Sequence, residues 1–248
     1  MQRRTLITLA LLSFVLPVLS AQGAWGAPAA PALRDPRTVS AGERLPALVE
    51  RVKAEQQKLK TLEARFVQTQ ESSLLAAPEK ATGHFSYTAP DRVRWEYESP
   101  NPISVVIHGE QMTTWYRDLQ RAELIKIGRY SNQIFKYLGA SGDMKTLLEY
   151  FDVRLGTSSK HGEPYRLELT PRFQRIARRL KSMTLWIDDA TFLPIHLRYV
   201  EADGDTTEYR FEDLKRNGRI PEDRYVLQIP KGVETRVVDL GRESKSKP

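Results

Sequence analysis

Between Gly83 and Pro102 the chain alternates large apolar and polar residues twice. Phe85 and Tyr87 alternate with His84, Ser86 and Thr88. Val93, Trp95 and Tyr97 alternate with Arg92, Arg94, Glu96 and Glu98. Successive side chains of a strand point to opposite faces, so each run has one apolar and one charged face. Pro90 and Asp91 separate the runs; proline presets its own φ and brings no ladder donor, which marks a turn. The two runs are expected to form an antiparallel pair whose aromatic face covers either a filled core or a cavity.

The same reading extends along the chain. Leu45, Leu48, Val49, Val52, Leu59 and Leu62 fall mostly at helical spacing, with Glu50, Arg51, Lys53, Glu55, Lys58 and Lys60 on the other side. This predicts one amphipathic helix of about four turns over Leu45–Leu62, with Pro46 tolerated near its first turn. Strands are expected at Ala64–Gln68, on both sides of Pro90, at Ile103–His108, Met112–Tyr116 and Ala122–Ile127. Further strands are expected at Asp152–Leu155, Tyr165–Thr170, Met183–Asp188, Pro194–Glu201, Thr206–Leu214 and Tyr225–Pro230. Between the two groups, Ile134, Phe135, Tyr137 and Leu138, then Met144, Leu147, Leu148 and Phe151, return to helical spacing around Gly139–Gly142. Two short helices are expected there.

This order defines a mainly β (α+β) chain. Consecutive strands with short connections favour one strongly curved antiparallel sheet, an unclosed β-barrel of about 10–11 strands. The N-terminal helix and the mid-chain helical pair would bury their apolar stripes against the concave face.

The N-terminus has the form of a secretory signal: Arg3 and Arg4, an apolar stretch from Leu6 to Leu19, then small residues that allow cleavage at several places. The apolar stretch is too short for a spanning helix. Arg3-Arg4 matches the start of a twin-arginine signal, but the rest of that pattern is poor. The expected organisation is a signal peptide over 1–26, an Ala/Pro leader over 27–40, one folded domain over 41–235 and a polar tail over 236–248. The expected location is the periplasm. The chain has no cysteine, so its core must stabilise it without disulfides. Loss of Arg3 and Arg4 with the signal lowers the net charge from +7 to +5, a mildly basic balance.

Catalytic chemistry has little to stand on. His84, His108, His161 and His196 are scattered, and no HExxH, P-loop, dinucleotide fingerprint or GxSxG elbow is present. Asp188-Asp189 and Asp203-Gly204-Asp205 sit between strands, where Asp and Gly are ordinary turn residues. No enzyme activity, metal, cofactor or nucleic-acid partner is expected. The densest basic cluster, Arg172, Arg175, Arg178, Arg179 and Lys181, suits either a solvated turn or an acidic partner such as anionic head groups.

Three blocks carry a resemblance. The first is Phe66-Val67-Gln68, then Gly83-His84-Phe85 and Pro90-Asp91-Arg92-Val93-Arg94-Trp95. The second is Val106-Ile107-His108-Gly109 leading to Trp115-Tyr116. The third is Thr207-Glu208-Tyr209-Arg210-Phe211, Asn217 and Ile229-Pro230-Lys231-Gly232-Val233. In order and spacing they resemble the LolA family of outer-membrane lipoprotein carriers and, more loosely, the related receptor LolB, over roughly Leu45 to Val233.

The resemblance implies an unclosed barrel with a hollow apolar interior lidded by helices. It also implies a monomeric carrier that takes lipoproteins from an inner-membrane exporter, shelters their acyl chains, and delivers them to an outer-membrane acceptor. Two positions depart from the pattern: Ala89 stands where family carriers commonly have an Arg thought to latch the lid, and His108 replaces the usual Asp before Gly109. The acyl-chain cavity is expected to be lined by Phe85, Tyr87, Val93, Trp95, Tyr97 and Trp115, by Leu48 and Val52 of the N-terminal helix, and by the lid pair Phe135 and Leu138. Two alternatives stay open: a carrier of a non-protein lipid, and an envelope-stress sensor or interaction module on the same scaffold.

Overall fold

The computed structural model describes residues 33–126, 144–156 and 160–239, with the backbone alone for 144–146, 238 and 239. Three α-helices lie within them: α1 (Arg44–Gln57), α2 (Met144–Tyr150) and the single turn α3 (Gln174–Ala177). The strands are β1 (Thr61–Glu71), β2 (Glu79–Thr88), β3 (Arg92–Ser99), β4 (Ile103–His108), β5 (Gln111–Tyr116) and β6 (Arg121–Lys126). They continue with β7 (Phe151–Leu155), β8 (Tyr165–Pro171), β9 (Leu180–Ile187), β10 (Pro194–Glu201), β11 (Thr206–Arg216) and β12 (Glu234–Asp239).

All twelve form one sheet in the order β12-β6-β5-β4-β3-β2-β1-β11-β10-β9-β8-β7. Two meanders, β1–β6 and β7–β11, are joined where the long strands β1 and β11 pair antiparallel, Phe66 opposite Phe211 and Gln68 opposite Tyr209. Every described ladder is antiparallel except that of β12 with β6. The outer strands β7 and β12 do not meet, so the sheet is unclosed, as the sequence pattern predicts.

Register fixes the two faces of this sheet. Ala64 is opposite Phe85, Phe85 opposite Trp95, Trp95 opposite Val105, and Tyr97 opposite Ile103. Directly opposed residues share a face, so the aromatic residues of the opening pattern line one surface, here the inner face. Leu48 and Val52 of α1 and Leu147 of α2 join the same buried cluster, which continues across Leu167, Leu185 and Leu197. The two helices therefore cover the inner face.

Three details differ from expectation. The N-terminal helix stops at Gln57 rather than Leu62. Leu59 and Leu62 fit the helical period, but the chain turns at Lys58, and Leu62 reaches the core from β1. The turn is held from a distance: Asn217, in the left-handed region at φ 56°, donates from Nδ2 to the Lys58 carbonyl (3.1 Å) and accepts the Lys60 N–H at Oδ1 (2.7 Å). Second, Tyr225–Pro230 is not a strand. A 3-10 turn (Glu222–Tyr225) leads into a chain that lies over the outer face of β4–β6, against Val106, Thr113 and Leu124. Its alternating exposure is that of an extended chain, but it crosses strands instead of pairing with one. Third, the sheet gains β12 in the stretch expected to begin the polar tail. Arg236 and Val237 are exposed there, and an edge strand wet on both faces shows no apolar alternation to reveal it. Of the mid-chain helical pair, the second helix is α2; the first, with Phe135 and Leu138, lies outside the described residues.

Candidate functional site: the aromatic inner face

The inner face is built around Trp95. Its ring meets Phe66 and Phe85, both with centroids at 4.9 Å, then Tyr209 at 5.6 Å and Phe211 at 5.9 Å. Phe66 also meets Tyr97 edge-on at 4.9 Å. These offset and edge-to-face contacts suit the ring quadrupoles and stabilise beyond simple burial. Seven of the expected lining residues, Leu48, Val52, Phe85, Tyr87, Val93, Trp95 and Tyr97, are buried and belong to this one cluster.

Trp115 does not join them. It is opposite Ser104 and Ala122, on the outer face, where Arg117 stacks over its ring at 5.1 Å. The reason is parity: Thr114 is the β5 residue opposite Val105 and so faces inward, and its neighbour must face out. Phe135 and Leu138 lie outside the described residues. The structure adds Phe66, Tyr209 and Phe211 to the face. The signal for Tyr209 and Phe211 was present in the period-two pattern Thr207, Tyr209, Phe211, but the β1–β11 pairing that brings them to Phe66 and Trp95 joins residues far apart in sequence.

Among the described residues, the spaces along the inner face are small. The cavity with the most apolar walls, between the end of α1, β1–β3 and β11, has a volume of about 30 Å³ and is lined by Leu59, Leu62, Phe85, Trp95, Leu193 and Phe211, with Gln56. A second, about 80 Å³, opens at the Tyr97–Tyr209 end beside Gln68 and Lys80. Small-molecule sites usually enclose roughly 300–1,000 Å³. Neither space, as it stands, admits a long hydrocarbon chain. The larger hollows of about 370 and 560 Å³ lie elsewhere, one under the Tyr225–Ile229 chain and one among charged residues such as Glu63, Arg65 and Arg224.

The buried phenols at the Tyr97 end are neutral. Burial pushes the Tyr97 phenol up to about 12, against a weak opposing hydrogen bond with Tyr209, whose own phenol burial also pushes up. Burial raises Tyr199 as well. On the outer face, Glu96 is a buried charge. Burial opposes its ionisation, yet bonds from Arg94, Ser104 and Arg117 outweigh that and hold its carboxyl below the usual range. Arg94 Nε donates to Glu96 Oε2 (2.7 Å) and Ser104 Oγ to Oε1 (2.9 Å); Arg117 completes the cage. Arg94 also donates to the Arg224 carbonyl (2.8 Å), which ties the crossing chain to the sheet. The four histidines do not converge: His196 stacks on Trp186 at 3.7 Å on the outer face, beside Glu208 at 3.0 Å.

A family model described as "Outer membrane lipoprotein carrier protein LolA" matches residues 57–228, from the end of α1 to the crossing chain. The chain belongs to the LolA family. An outer-membrane lipoprotein carrier protein of Pseudomonas putida (strain W619) is 26% identical over 178 residues, covering 72% of this chain and 81% of the relative. That of Alkalilimnicola ehrlichii is 27% identical over 185 residues, covering 73% and 78%. Among solved structures, an uncharacterized conserved protein from Thermus thermophilus superposes with a TM-score of 0.50 at 13% identity, covering 78% of this chain and 98% of that one, a likeness of fold. The LolA match leaves most of α1 and all of β12 outside it.

Proposed function

We propose that this protein is a periplasmic carrier that shelters the acyl chains of lipoproteins against its aromatic inner face and shuttles them from the inner to the outer membrane. The supporting observation is the inner face itself: a continuous buried layer of rings on an unclosed sheet, covered among the described residues by two short helices. Membership of the LolA family gives that layer its meaning. Residues 1–26 serve as the export signal and 41–235 as the carrier domain, with β12 extending that domain into the tail. The carrier acts as a monomer between an inner-membrane exporter and an outer-membrane acceptor, and makes or breaks no covalent bond.

The energetics fit the task. Hiding one CH₂ from water is worth ~0.8 kcal/mol, so a wet chain of about sixteen carbons costs on the order of 12 kcal/mol. Such a chain needs a dry enclosure to cross the periplasm. The apolar interior is nearly full without cargo, so Leu48, Val52 and the lid must give way, and the chain then takes over their contacts with Phe85, Tyr87, Val93, Trp95 and Tyr97. Closure by the helices keeps the face dry between cargoes.

The test is direct binding by the purified protein without its leader. A fluorescent fatty acid or acylated peptide is expected to bind at micromolar concentration. Trp95→Asp should remove binding while the β circular-dichroism signal persists. A wild-type protein that ignores both ligands sinks the carrier reading. Mass spectrometry of material extracted with the native protein then separates lipoprotein cargo from a free lipid.

A further inference from the structure

Two residues that line the small cavity under α1 each bury an unpaired polar atom. Trp95 Nε1, a donor, and Gln56 Oε1, an acceptor, are both buried without a hydrogen-bond partner. The residues that carry them are 2% and 3% exposed, and both line this cavity. Nearly all buried polar groups in folded proteins are paired, and an unpaired one destabilises the fold, so two orphans at one cavity ask for an occupant. The remaining walls are hydrocarbon and aromatic ring.

The chemistry of the two atoms restricts that occupant. An indole N–H can only donate, and an amide oxygen can only accept. A secondary amide answers both, with a carbonyl for Trp95 and an N–H for Gln56. An ester supplies the carbonyl alone, and an ether supplies no N–H and no carbonyl. We propose that this cavity is a subsite that reads the linkage of the acyl chain and selects chains joined through an amide. Trp95 Nε1 donates to the amide carbonyl, Gln56 Oε1 accepts the amide N–H, and the hydrocarbon runs on along Phe85 and Phe211. This inference rests on the carrier reading above. Gln56 belongs to the last turn of α1, the helix whose movement admits the chain, so a bound amide bridges helix and sheet and favours reclosure over the cargo.

The experiment uses three probes of equal chain length, N-methylhexadecanamide, methyl hexadecanoate and hexadecyl methyl ether, each displacing a fluorescent fatty acid from the leaderless protein. The amide is expected to displace at about tenfold lower concentration than the ether, with the ester between them. Ratios are then compared within each protein: Trp95→Phe should close the gap between ester and ether, and Gln56→Leu the gap between amide and ester. In ¹⁵N-labelled wild type, the Trp95 indole N–H resonance should move with the amide and the ester but stay with the ether, a readout that needs no variant to fold. Equal displacement by all three probes, or an indole resonance indifferent to linkage, overturns the subsite and leaves the carrier intact. A fluorescent fatty acid that never binds overturns both.

Discussion

Gly83 shows how closely the inner face is fitted. A Cβ at this position would lie 2.0 Å from the Glu96 carbonyl oxygen and 2.8 Å from Phe66 Cζ. Only a residue without Cβ lets β2 and β3 approach at the bulge beside Thr82 and leaves room for the Phe66 ring. Gly83→Ala should therefore destabilise the fold by about 1–3 kcal/mol or more, seen as a lower urea midpoint; an unchanged midpoint would mean that the Phe66 ring is not confined. The buried phenols set a second expectation. Because burial raises Tyr97 from 10.0 to about 12, the folded state resists its ionisation. Its stabilising contribution is complete below pH 10 and is lost as pH rises from there through about 12, so unfolding free energy should fall across that window. Tyr97→Phe should flatten the fall; a slope that the substitution leaves untouched assigns the effect to Tyr199 and Tyr209.

Elements are joined here by a few residues distant in sequence. Asn217 ends α1, and the Glu96 cage holds the chain that leads to β12. Removing the Glu96 carboxylate leaves Arg94 and Arg117 facing each other without a counter-charge. Glu96→Ala should cost about 3–5 kcal/mol, the penalty for a buried pair broken on one side. The carboxyl is held below its usual range, so its contribution is present above pH 4.5 and is lost as pH falls through the folded value. Acid titration of the wild type and of Glu96→Gln should differ in that window and converge below it. In α1, Leu48→Ala should lower stability by about 2–5 kcal/mol while speeding entry of a fluorescent fatty acid, because the same contact holds the lid shut. Slower entry would show that α1 is not the gate.

At the scale of the whole molecule, the proposed carrier cycle treats the sheet as a fixed wall and α1 as the part that moves. If cargo takes over the contacts of Leu48 and Val52, amide hydrogen exchange in residues 47–56 should quicken when an acylated peptide binds, while β1–β4 stay protected. Equal protection with and without peptide rejects displacement of α1. Much of this architecture is legible along the chain. Period-two alternation marks strands such as β2, β3 and β9, and period 3.6 marks α1 and α2, because burying one face imposes those periods locally; β4, buried on both faces, shows instead as a short apolar run. The inward set Phe85, Tyr87, Val93, Trp95 and Tyr97 follows from parity within two strands. Parity has no absolute sign, however: whether Trp115 or Thr114 looks inward depends on the partner strand, and that ladder put Trp115 outside. The β1–β11 pairing that delivers Tyr209 and Phe211 to Trp95, the Asn217 clamp and the parallel addition of β12 all join positions remote in sequence. Local pattern therefore determined β1 to β11, α1 and α2, and the apolar face of the amphipathic ones. Only tertiary structure decided how those faces meet, because a contact between distant segments is fixed by the packing of the finished sheet and leaves no period in the sequence.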